Sequence, residues 1–138
     1  NLANSGRPMG QYLLFPGSVF SYFSPDYEIS GSPLFAPEMN ILNTATTFER
    51  INFLNTAAFG SLAGLTINWT PLSNLAATPS TLLDTLNVLL LHVTMSSSMR
   101  TSITTALNAV PAGSSQNEQR ARTAIYLIVS SSQYQLQH

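Results

Sequence analysis

His92 and Asp84 are the residue types in this chain best suited to joint chemistry. A histidine oriented by a carboxylate can take a proton from a serine and start an acyl transfer. Eight residues of helix put the two about 12 Å apart along the axis, so they cannot touch directly. A nucleophile would have to arrive from Ser18, from Ser96 to Ser98 or from Ser130 to Ser132, and no Gly-x-Ser-x-Gly elbow presents one. The plainer expectation for His92 is a histidine at a helix end, close to the last carbonyls.

Paired carboxylates are the second option. Glu38 and Glu49 fall on one expected helix but about 16 Å apart, beyond the roughly 5 to 9.5 Å that separates the two acids of a glycosidase. Asp26, Glu28 or Asp84 would have to complete such a site from another element. Without one, Glu38 is expected to face the positive end of the helix dipole and Glu49 to be solvated beside Arg50. Asp26 and Glu28 are two oxygen donors with no third at useful spacing, His138 is terminal and cysteine is absent, so neither a metal site nor a cofactor is expected. Arg120 and Arg122 lie on different faces of a helix, so at most one should point inward. A buried Arg7 or Arg122 would hold backbone carbonyls of the proline-rich segment, or Glu38. Asn68-Trp69-Thr70 fits a glycosylation acceptor, a tripeptide common by chance.

Five arginines, no lysine and six carboxylates give a net charge of -1, and only 8% of the 138 residues are charged although 44% are apolar. An ordinary domain is about one quarter charged. The surface must therefore be solvated by Ser, Thr, Asn and Gln, or be covered. No basic field is available for a phosphate backbone, which argues against nucleic acid. Apolar runs such as Val88 to Leu91 are far short of the roughly 20 residues of a spanning helix. Residues 1–9 have neither a basic start nor an apolar core, so no signal peptide is expected there, and the abrupt start reads as a cut.

The elements that would position these groups are helices. Proline and glycine between Arg7 and Pro33 forbid a long helix. The aromatics among them, Tyr12, Phe15, Phe20, Tyr22, Phe23 and Tyr27, predict an irregular segment clamped onto a core, with one helical turn at Ser18 to Phe23. These rings could stack on sugar or aromatic ligands, but core packing is the ordinary role. Pro37 and Glu38 mark a helix start, and Ile41, Leu42, Ala45, Phe48, Ile51 and Leu54 form its stripe to about Ala58. The alternating Leu65, Ile67 and Trp69 within residues 61–77 could form a short strand, but with no partner strand in the sequence the expectation is an extended connection that buries Trp69. Thr78-Pro79 opens the strongest helix, with Leu82, Leu83, Leu86, Leu89, Leu90 and Val93 at helical spacing. Ser96 caps another, carrying Met99, Ile103, Ala106, Leu107 and Val110, and a last one from Gln116 to Ser130 buries Ala121, Ala124, Ile125 and Ile128. The expectation is a single all-α domain of about four helices, with residues 1–35 irregular and packed on residues 36–138.

Two stretches carry more than propensity. Gly6-Arg7-Pro8, the block from Leu14 to Pro25 and Ala36-Pro37-Glu38-Met39-Asn40-Ile41-Leu42-Asn43 form the first. Met95-Ser96 with Arg100, the run from Ala121 to Leu127 and the closing Ser132 to Gln137 form the second. Together they resemble the C-terminal part of the bacterial family known as domain of unknown function 1800, with Gly17 standing where relatives usually have a second proline. The resemblance implies a helical chain, a parent several hundred residues long of which this would be the final third, and a periplasmic or extracellular setting. It implies no catalytic residue. The reading is a structural or interaction role, with the rest of the parent protein or a second copy as partner; the alternative is a hydrolase, esterase-like through a serine and His92 or glycosidase-like through Glu38, Glu49 and Asp84.

Overall fold

The computed structural model describes residues 4–62 and 64–135. Among them the fold is all-α. After a 3-10 helix at Pro37–Ile41 come α1 (Thr44–Phe59), α2 (Thr70–Leu75), α3 (Pro79–Leu91), α4 (Ser97–Asn108), α5 (Gln116–Val129) and α6 (Ser132–Gln135). No described residue belongs to a sheet; only isolated bridges such as Glu28 with Phe35 occur. No helix is long and apolar enough to cross a membrane. The chain divides into two compact units. The first takes the described residues up to Thr56 together with Leu62–Leu65; the second takes Ala57–Ser61 and the described residues from Thr66 onward.

The second unit is a helical cluster with α5 at its centre, lying against α2, α3, α4 and α6. Ala121, Ala124 and Ile128 face inward at intervals of three and four residues, and the two alanines let neighbouring helices approach closely. Leu82, Leu83 and Leu86 of α3 and Ile103 and Leu107 of α4 meet them as one core. Each fully buried leucine contributes about 1.5 to 3 kcal/mol relative to exposure. Ser96 caps α4 as expected, its hydroxyl accepting from the Met99 N–H at 3.3 Å. Polar side chains tie the helix ends. Gln133 of α6 donates to the Thr94 carbonyl and accepts from Ser96, while Arg120 Nε donates to the Leu107 carbonyl at 3.0 Å and Nη1 to that of Ala76.

Several expectations are corrected. The leucine stripe of α3 is narrower than its sequence suggests: Leu89 and Val93 are exposed, and Leu91 is buried instead. Leu89 lies only about 20° round the helix from the buried Leu82, so rotation alone does not expose it, and the helix ends before Val93. His92 takes the left-handed conformation with φ 48° and Val93 follows at φ 69°, so the chain turns away. Residues 61–77 do bury Trp69, yet they contain α2, whose Pro71 sits in the first turn where a missing N–H costs nothing. Arg120 and Arg122 are both half-buried, because each long stem brings its guanidinium back to carbonyls at helix ends.

The first unit is mostly irregular. The helix expected from Pro37 to Ala58 is broken at Leu42 and Asn43, and the second piece restarts with its own cap. Asn43 Oδ1 accepts from the Thr46 N–H at 3.0 Å while Thr46 Oγ1 accepts from the Asn43 N–H at 3.1 Å, a reciprocal capping box that halts the helix preceding it. Thr46 is buried, and its hydroxyl also donates to the Ile41 carbonyl. Ser18 to Phe23 forms no helical turn; Ser18 and Ser21 bridge around a tight turn instead. Nor are the aromatics uniformly buried. Tyr12 and Phe15 stack at 4.9 Å and Tyr22 Oη donates to the Tyr12 carbonyl, but Phe15, Phe20 and, on α1, Phe48 are exposed. Gly6 is needed where it stands, since a methyl there would lie 2.2 Å from the Gln11 carbonyl oxygen.

Candidate functional site

One concavity belongs to the second unit and is built from the lead into α2 and the first turns of α5. Residues 66–69 carry no regular structure, and Asn68 Oδ1 accepts from the Thr70 N–H at 3.0 Å, turning the chain into α2. This turn places Trp69, 9% exposed, as a floor. On α5, Glu118 and Arg122 are one turn apart in the order that favours a helical ion pair. Arg122 Nε donates to Glu118 Oε1 at 2.9 Å and Nη2 donates to the same oxygen, while Nη1 donates to the Ala58 carbonyl. The guanidinium carbon lies 4.8 Å from the centre of the Trp69 ring, so the cation covers that ring's face. Above this floor opens a cleft of about 600 Å³, walled by Asn117, Ser114, Thr66 and Ile67.

The residues with catalytic precedent are dispersed. Asp84 is engaged by Arg100 of α4, and His92 is the exposed C-cap of α3, its backbone N–H bonded to the Asn87 carbonyl. The candidate serines serve backbone: Ser96 caps α4, Ser130 donates to the Tyr126 carbonyl and Ser131 to that of Ile128. Ser98 Oγ lies 3.2 Å from Ser96 Oγ, and Ser18 Oγ accepts from the Phe20 N–H. Glu38 lies in the 3-10 helix and Glu49 in α1, so they do not share a helix, and both are exposed. Glu28 is exposed. The Asp26 carboxyl is held below the usual carboxylate range, first by the Ser24 hydroxyl that donates to it and then by its own backbone N–H. Among the described residues no three of His, Asp and Glu gather as metal ligands; His138 lies outside them.

Arg122 takes none of the partners expected for it in the proline-rich segment, and Arg7 is exposed over the Tyr12 ring at 5.3 Å. Glu118 was not singled out by its type alone. The signal that finds it is the four-residue step from Glu118 to Arg122 at the start of an amphipathic helix. Comparisons with protein-family models, with curated proteins and with solved structures returned no match.

Proposed function

We propose that the chain is an interaction module of a larger exported bacterial protein of the domain of unknown function 1800 family, and that its first unit supplies an apolar surface for the rest of that protein. The observation that carries this reading is the exposure of large apolar side chains close together in sequence: Leu14 at 84% and Val19 at 95%, with Phe15, Phe20, Leu34 and Phe35 also exposed. Apolar surface gains about 25 cal/mol per Å² when covered, so a chain that presents it openly is stabilised by a partner. The scarcity of charge supports the same reading, because little like-charge repulsion opposes contact. The blocks that carry the resemblance, Gly6 to Pro8, Leu14 to Pro25 and Ala36 to Asn43, fall in this unit, and the resemblance supplies the setting and the partner.

The test is to express the chain alone. Light scattering should find concentration-dependent self-association and an apolar dye should bind, with both reduced in a Phe15→Ser, Phe20→Ser double variant. A clean monomer that binds no dye would overturn the reading.

A further inference from the structure

Several polar groups at the cleft of the second unit have no bonding partner among the described residues, although Ser73, which also lines it, donates to the Trp69 carbonyl one turn back. Thr85, Thr101, Thr104, Thr105 and Ser130 spend their hydroxyls on the carbonyl one turn back, which is what such residues do when nothing else is asked of them. At the cleft, the Asn117 amide and the Ser114 and Thr66 hydroxyls make no such bond within the described residues. The ion pair below them is also incompletely used. Both bonds from Arg122 go to Oε1 of Glu118, which leaves Oε2 as an acceptor. One N–H of each terminal guanidinium nitrogen is engaged, and the second of each is left as a donor.

Donors and acceptors are therefore both present around an opening of about 600 Å³, within the range of small-molecule sites. We infer that this cleft binds a neutral polyhydroxylated ligand of the size of a mono- or disaccharide, hydrogen-bonded by Asn117, Ser114, Glu118 and Arg122. The chemistry favours that class over three others. A phosphate or carboxylate would meet Glu118 beside Arg122, so the cation is already neutralised and an anion gains little. A flat aromatic ligand has no ring to stack on, because Arg122 lies over the Trp69 face and Trp69 is buried. An apolar ligand would strand amide and hydroxyl groups without partners. A sugar hydroxyl both donates and accepts, and adjacent hydroxyls fit a carboxylate oxygen next to a guanidinium edge. The half-exposed Ile67 side chain offers the apolar contact that a sugar's C–H face needs.

Trp69 is the only tryptophan of the chain and lines this cleft, so its fluorescence can follow binding there. The experiment is a fluorescence titration of the full chain with neutral oligosaccharides built from glucose, xylose, mannose and N-acetylglucosamine, alongside galacturonate and inorganic phosphate. The expected result is a saturable change with at least one neutral sugar and none with phosphate. Asn117→Ala and Ser114→Ala should each weaken that binding about tenfold, the loss of roughly one good hydrogen bond. Thr105→Ala, on another helix, should bind as the parent does, and circular dichroism should show all three variants folded. The inference is overturned if no neutral sugar gives a saturable change at millimolar concentration. It is equally overturned if phosphate or galacturonate binds better than every neutral sugar, or if the response survives both cleft substitutions unchanged.

Discussion

At the scale of single residues, Arg122 does more than any other side chain to shape the described cleft. Its guanidinium joins the Ala58 carbonyl, Glu118 and the Trp69 ring, and the side chain is only 22% exposed. Removing it leaves a buried carbonyl without its donor and uncovers an aromatic face. Arg122→Ala is expected to lower unfolding free energy by about 2 to 3 kcal/mol in a denaturant titration, and Arg122→Lys should recover only part, since an ammonium cannot reach three partners in a plane. The opposite sign is expected at Val93. A β-branched residue at φ 69° is strained, and this one is exposed, so Val93→Gly removes strain and gives up little burial. Its thermal midpoint should rise by an amount equivalent to roughly 0.5 to 1 kcal/mol. Asp26 yields a pH statement. Its folded carboxyl titrates below the usual value of about 3.9, so the small stabilisation it gives is complete above that pH and is lost as the pH falls through the folded value. Ser24→Ala should move the Asp26 titration, followed by NMR, upward toward the usual value.

Among elements, legibility tracked how directly a signal acts on the backbone. The starts of α3 and α4 were readable because Pro79 and Ser96 impose their conformations locally, and Ile103, Leu107, Ala121, Ala124 and Ile128 are buried as their spacing demands. The break before α1 was not read, although its cause is written in the chain. Asn43 and Thr46 are weak helix formers by type, whereas here their side chains bond each other's backbone and restart the helix. Asn43→Ala should cost about 1 kcal/mol and speed amide exchange in the first turn of α1, measurable at Thr46. Helix α2 was missed because six residues are too few to show a period and Pro71 looks like a breaker. The cleft was harder still. Its walls come from residues 66–69 and from α5, almost fifty residues further on, and only the fold brings Trp69 beneath Arg122.

For the molecule as a whole, the balance of charge and apolar surface decides how copies behave. With a net charge of -1 and 8% charged residues, repulsion between chains is weak, while Leu14 and Val19 stand almost fully in water. Association driven by such side chains is apolar in origin, and its dependence on salt should say so. Raising ionic strength shortens the range of charge interactions but leaves the gain from covering apolar area intact or stronger. The chain alone is therefore expected to keep its apparent mass in light scattering as salt rises to about 0.5 M, where screening reaches only a few ångströms. Leu14→Lys with Val19→Glu adds opposite charges at the two most exposed apolar positions, leaves net charge unchanged and touches no core residue. That variant should scatter as a smaller species at equal concentration, with unchanged helical circular dichroism. An association that dissolves in salt, or that survives this double substitution undiminished, would place the contact elsewhere and make it electrostatic or helical in kind.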